Sequence, residues 1–297
     1  MPRPSLALAL RTAQRRLDAG TPRGVRQPTP PPNVDAIAWA ARQLHRALLD
    51  TTKRFRGESA TALTDAIDLL EPELAAAYAL ELGAGAAATR ARRTVTTLLR
   101  RLPAIQRTLA RDLQAAYDRD PAATGVLEIV LCYPGLRAVA IHRIAHALHR
   151  MGVPLIPRML AESAHDSTGI DIHPGATIGP GFFIDHGTSV VIGETSVIGR
   201  NCTIYQGVTL GARRFDRHSD GTLRRGTKRH PTLRDGVTVY SNATILGGET
   251  VIGRGAIISA GVFVQESVAA GCTVRAPRTE LVVARRKTGR VTARRRG

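Results

Sequence analysis

Aromatic residues are scarce: five Phe, five Tyr and one Trp in 297 residues. That is too few for the stacking platform on which single-stranded nucleic acid is bound. Cysteine is rarer still. Cys132, Cys202 and Cys272 lie far apart and form no Cys-x-x-Cys pair. This excludes a disulfide framework or a zinc knuckle of ordinary spacing and fits a reducing, cytoplasmic setting. No stretch approaches the ~20 apolar residues of a membrane span. The apolar run Leu6 to Leu10 is soon followed by Arg11, Arg15 and Arg16, and is too short for a secretory core. Gly247-Gly248 is not a phosphate loop, because no Gly-x-x-x-x-Gly-Lys accompanies it.

Acidic residues are also in short supply, 24 against 42 Lys and Arg, for a net charge of +18. The imbalance sits at the ends. Residues 1–33 and 285–297 together supply 12 of the 18 charges. The middle of the chain is only mildly basic, so no specific nucleic-acid site is expected. Such ends read as solvated and disordered segments. They could instead attract an anionic cofactor such as coenzyme A, or touch nucleic acid without specificity.

What the chain does have is a six-residue rhythm. Aliphatic residues recur at Ile172, Ile178 and Ile184, then at Ile192, Ile198, Ile204 and Leu210. They return at Leu233, Val239, Ile245, Ile252, Ile258 and Val264. This period fits neither an amphipathic helix nor an ordinary strand. It predicts a hexapeptide parallel β-helix, each hexapeptide forming one flat side of a triangular coil. The rhythm breaks in three places. Ile184 to Ile192 is eight residues, with the excess just after Asp185-His186. Ile245 to Ile252 is seven, across Leu246-Gly247-Gly248. Leu210 to Leu233 holds a long excursion rich in Arg, Asp and Gly. Loops ejected from a rigid scaffold commonly build its binding site.

Four segments follow. Residues 1–33 form a basic stretch ending in a stiff proline-rich linker. Residues 34–167 carry helical periodicity, with breaks expected at Gly83–Gly85, at Arg101-Leu102-Pro103, near Tyr133-Pro134-Gly135 and near Gly152 to Pro157. Residues 168–275 form the solenoid with its loop 212–231, and 276–297 form a basic tail. The helical segment is placed to cap the open end of the solenoid and to mediate assembly.

Asp171 and His186 are fifteen residues apart, which can bring them to neighbouring turns near one corner. A carboxylate beside an imidazole can hold its tautomer and raise its basicity, the apparatus for taking a proton from an alcohol. His173, followed by Pro, reads as bracing the coil or as a second site histidine. Arg229 and His230 end the long loop. An Arg there suits bidentate binding of a carboxylate. His142, His146 and His149 share one helical face. Without the Glu of His-Glu-x-x-His, a structural face is the better reading than a zinc site.

These residues fall in a set of strings: AspIleHisProGlyAlaThrIleGly at 171–179, PhePheIleAspHisGlyThr at 182–188 and ValIleGlyGluThr at 191–195. TyrGlnGlyValThrLeuGlyAla at 205–212, LysArgHisProThr at 228–232 and AlaThrIleLeuGlyGly at 243–248 continue it. As a set they resemble the serine O-acetyltransferases of the hexapeptide-repeat superfamily, from about Asp118 to Val274. The resemblance implies an α+β fold, an N-terminal α-helical domain followed by a left-handed parallel β-helix. It implies acetyl transfer from acetyl-CoA, as co-substrate, to the hydroxyl of L-serine, giving O-acetyl-L-serine for cysteine biosynthesis. No metal and no covalent acyl-enzyme are required. His186 becomes the general base and Asp171 its orienting partner. Asp120 and Asp185 would hold the serine ammonium, and Arg229 and His230 its carboxylate. The coenzyme A groove would run past Gly211, Ala212, Ser241, Ala243 and Gly247.

The family implies a homotrimer or dimer of trimers, with active sites between subunits, and inhibition by L-cysteine is consistent with it. A complex with O-acetylserine sulfhydrylase is possible, but the ArgArgArgGly end lacks the terminal isoleucine used by some members and counts against a stable one. Other readings are acetyl transfer to homoserine or an amino sugar, or a noncatalytic scaffold that binds polyanions. Arg229 with two acidic groups favours an amino acid. A carbonic-anhydrase-like solenoid would need histidine spacing that this chain does not show.

Overall fold

The computed structural model describes residues 30–49 and 56–277. The disorder expected of the two basic ends falls almost wholly outside them. Among the described residues six helices come first: α1 (Val34–Leu49), α2 (Arg56–Ala79), α3 (Ala84–Arg119), α4 (Val126–Cys132), α5 (Pro134–His149) and α6 (Ile156–Thr168). Asn33 caps α1, its Oδ1 accepting from the Asp35 and Ala36 N–H groups at 2.9 and 3.2 Å. The break expected at Arg101-Leu102-Pro103 is absent, since α3 runs for 36 residues straight through Pro103. Pro removes one backbone bond, the donor to the Leu99 carbonyl. Leu98, Leu102, Leu109 and Leu113 stay buried on one face of α3. Their packing across the proline outweighs the missing bond.

From Ile170 to Val274 the chain winds into a left-handed parallel β-helix. Its first sheet stacks β1 (Ile170–Ile172), β4 (Val190–Ile192), β7 (Thr209–Gly211), β10 (Thr244–Leu246) and β13 (Phe263–Val264). The second holds β2 (Thr177–Ile178), β5 (Val197–Ile198), β8 (Thr232–Leu233) and β11 (Val251–Ile252). The third holds β3 (Phe183–Ile184), β6 (Thr203–Ile204), β9 (Thr238–Val239), β12 (Ile257–Ile258) and β14 (Thr273–Val274). All thirteen aliphatic residues of the rhythm are buried, stacked in three columns. Ile172, Ile192, Leu210 and Ile245 stand side by side in one of them. The register survives each break because the surplus residues leave at corners.

Three contacts weld the helices to the first coils. Asp112 and Arg143 form a buried two-pronged ion pair at 2.7 and 2.8 Å. Asp112 also accepts from the Phe182 N–H, and Arg143 donates to the Ile178 and Gly179 carbonyls. With four guanidinium N–H groups and both carboxylate oxygens engaged, the pair avoids the penalty of an unpaired buried charge. Arg119, at the end of α3, reaches the Gly181 and Cys202 carbonyls and the Thr203 hydroxyl. Gly135 opens α5 against Ile184, where a Cβ would stand 2.2 Å from the Ile184 carbonyl oxygen. The histidine face of α5 packs on the first coil too. His146 Nδ1 meets the Pro174 carbonyl at 2.9 Å, and His149 meets the His173 ring edge-on.

Candidate active site

His186 sits at the corner between the third and first sheets, where the two surplus residues leave the coil. Gly187 N–H donates to the Asp185 carbonyl at 2.6 Å, closing a three-residue turn with His186 at its apex. Its φ of 57° lies in the left-handed region, a conformation that costs a non-glycine residue on the order of 1–3 kcal/mol and gathers at functional sites. Gly187 continues the turn at φ 88°, and a Cβ there would strike the Ile170 side chain. The turn thrusts the imidazole outward, its side chain 70% exposed. Its charged neighbour is Asp185, with Oδ1 3.7 Å from Nδ1, too long for a direct hydrogen bond. Asp171 lies one strand away in β1, partly exposed and facing outward beside Val191. Among the described residues no hydrogen bond joins it to His186.

Asp120 closes α3. Its Oδ1 accepts from the Ala122 N–H and its Oδ2 from the Tyr133 hydroxyl. That hydrogen bond, with burial and the charges of Asp120, Glu128 and Asp185, pushes the Tyr133 hydroxyl well above its ordinary range. Burial, then Tyr240, Asp185 and Asp120, raise Tyr205 as well. The charges of the same two carboxylates therefore act on both tyrosines, and Asp185 directly precedes His186. Asp185, Tyr205 and Tyr240 occupy equivalent positions on successive coils, and the two tyrosine rings stack at 5.0 Å.

Arg229 and His230 lie elsewhere. Both bond to Thr195, which follows β4, whereas His186 precedes β4. The two groups thus sit at opposite ends of the first sheet, separated by a strand of about 10 Å. Arg229 pairs with Glu194. Burial works against ionisation of Glu194, but the Arg229 hydrogen bond and charge hold its carboxyl below the usual range. Burial, then Arg229, brings His230 down to about 4. His173 shares this second corner, its pKa lowered chiefly by burial.

The coenzyme candidates divide between the corners. Gly211 and Gly247 are joined by a 3.1 Å backbone bond at the second corner. Gly247 lines a cavity of about 340 Å³ with Arg213, Arg214, Lys228 and Arg229. Ala212 is half-buried at the root of the loop, and Ser241 lies at the first corner beside Tyr240. Ala243 is fully buried, with its N–H and carbonyl both engaged. It presents no surface to a coenzyme and serves only to fill the coil. The loop itself contains a small antiparallel bridge, Arg217 to Leu223, with Phe215 exposed nearby.

Tyr133, Glu194 and Thr195, which bond to candidate residues, and Tyr205, which stacks on Tyr240, are not assigned from the sequence. Glu194 and Thr195 fall inside a quoted string, but their roles depend on contacts with residues 35 positions away. Tyr133 read only as the start of a helix break.

A parallel β-helix with helices packed on its first coils is the architecture of the hexapeptide-repeat class. The family described as "Serine acetyltransferase, N-terminal" matches residues 60–140. The plasmid serine acetyltransferase of Synechococcus elongatus is 55% identical over 142 residues, 48% of this chain and 44% of that protein. The Helicobacter pylori serine acetyltransferase is 42% identical over 135 residues, 46% of this chain and 74% of that protein. The matched stretch spans about half the length of most of these curated relatives. Among solved structures, serine acetyltransferase 1 of Entamoeba histolytica with L-cysteine superposes at a TM-score of 0.70. It is 35% identical, over 90% of this chain and 97% of that one. The Neisseria gonorrhoeae serine acetyltransferase with serine gives a TM-score of 0.56 at 30% identity, over 81% and 95%. The chain belongs to the serine acetyltransferase family.

Proposed function

We propose that this protein transfers the acetyl group of acetyl-CoA to the hydroxyl of L-serine, giving O-acetyl-L-serine for cysteine biosynthesis, with His186 as general base. The observation that carries this reading is the His186 turn. An imidazole at a strained apex, largely exposed, has the Asp185 carboxylate 3.7 Å away. His186 takes the serine hydroxyl proton as the oxygen attacks the thioester carbonyl. The carbon–sulfur bond then breaks, and the imidazolium returns the proton to the coenzyme A thiolate. Asp120 and Asp185 receive the serine ammonium, and Asp171 steadies His186 once substrate draws the ring inward. Arg229 and His230 receive the carboxylate. The coenzyme runs past Gly211, Ala212, Gly247 and Ser241.

Asp185 and His186 lie at one corner of the solenoid and the basic pair at another, so the reading requires a second copy to bring Arg229 and His230 to His186. A homotrimer or a dimer of trimers supplies that geometry. L-Cysteine shares the ammonium and carboxylate of serine and competes for the same groups, as the cysteine-bound Entamoeba relative suggests. Acetyl-CoA and serine are drawn from the cytoplasm. Release of coenzyme A thiol from acetyl-CoA, followed with L-serine, homoserine and glucosamine in turn, tests the assignment. Serine-dependent release is expected to exceed the others. Release only with homoserine or glucosamine moves the substrate, and none with any acceptor from folded protein refutes the activity.

A further inference from the structure

We propose that Thr195 is the positioning residue for the Arg229–His230 pair, holding both in one geometry and His230 in one tautomer; the proposal rests on the serine acetyltransferase reading above. Thr195 Oγ1 accepts from the Arg229 N–H at 2.9 Å and from the His230 N–H at 3.0 Å. The same hydroxyl lies 2.9 Å from His230 Nδ1, and the Thr195 N–H donates to that nitrogen at 3.1 Å. A hydroxyl that accepts two N–H bonds has its own proton left for Nδ1. A ring nitrogen facing two donors is an acceptor, so the single ring proton resides on Nε2. The other tautomer would set N–H against N–H.

The ring packs against Gly193, where a Cβ would stand 2.0 Å from Cδ2 and 2.1 Å from Nε2. Lys228 binds the same turn, its Nζ donating to the Thr195 carbonyl at 2.6 Å and to the carbonyls of His230 and Pro231. His230 is thereby a fixed, uncharged N–H donor beside a guanidinium. That combination suits a carboxylate, which accepts from both, and gives little to an acceptor substrate without one.

The test compares Thr195→Val, which keeps the shape and loses the hydroxyl, with Thr195→Ser, which keeps the hydroxyl. In the full chain, Val is expected to raise KM for serine about tenfold. It should leave kcat and KM for acetyl-CoA within about twofold, and Ser should restore serine KM. Nitrogen-15 NMR of histidine-labelled protein, with the His230 signals assigned by their loss in His230→Gln, should show Nε2 protonated and Nδ1 bare. Val should mix the tautomers. An unchanged serine KM in Val, an equal loss in kcat and acetyl-CoA KM that Ser does not rescue, or a protonated Nδ1 in the parent would overturn the proposal. A parent with no serine-dependent turnover would sink the functional reading instead, and the NMR comparison would still decide what Thr195 does to His230.

Discussion

His186 and Tyr133 show how differently two residues of one site register in a sequence. His186 stands out because it interrupts a period: two surplus residues beside an Asp-His pair break a regular coil. Tyr133 carries no such mark. Its hydroxyl meets Asp120, thirteen residues back across the α3–α4 turn, and only the folded chain makes that contact. The hydrogen bond fixes one oxygen of Asp120 while the Ala122 N–H fixes the other. Tyr133→Phe should therefore loosen the carboxylate without removing it. We expect KM for serine to rise severalfold, about 3- to 10-fold for one lost charged hydrogen bond, with KM for acetyl-CoA unchanged. Steady-state kinetics with each substrate varied decides this, and equal effects on both would argue against a role for Asp120 at the ammonium.

At the scale of elements, the coils were legible and the helix ends less so. A side chain that must point inward every sixth residue leaves a strong period, and its breaks mark the corners where chain leaves the core. Pro103 misled because a proline signals local cost, whereas α3 is held by leucines buried along its length. The joint between helices and coil was not legible at all, since Asp112, Arg143 and Arg119 act through partners 31 to 84 residues away. Gly135 belongs to that joint. Gly135→Ala puts a methyl 2.2 Å from the Ile184 carbonyl oxygen, backbone that directly precedes Asp185 and His186. The strain should lower stability by about 1–3 kcal/mol and shift the His186 turn. Urea denaturation should show the loss, and kcat should fall even where the variant remains folded. Parental stability together with parental kcat would show that the joint yields without moving the turn.

Over the whole molecule, buried histidines tie stability to pH. Burial, then neighbouring cationic charge, lowers His45 and His230 to about 4. Burial is also the leading cause for the lowered His142, His146 and His173. In the unfolded chain these groups take up protons near pH 6.5. The stability they contribute is therefore whole above about pH 6.5 and is lost as pH falls toward about 4. The urea midpoint should be steady from pH 8 to 7 and drop from pH 6 to 5; a midpoint that rises on acidification contradicts the burial of these rings. The same scale explains why the complete site could not be read from one chain. The strings named the candidate residues, but the coil places Arg229 and His230 a strand's length from His186, so under the proposed function their meeting depends on a second copy. The central claim is narrower and rests on one side chain. Serine-dependent release of coenzyme A thiol, compared between the parent and His186→Ala, tests it most directly. The account predicts a fall in kcat of about 10²- to 10⁴-fold in a protein that keeps its fold and its affinity for acetyl-CoA. A folded His186→Ala variant with kcat near that of the parent would contradict it.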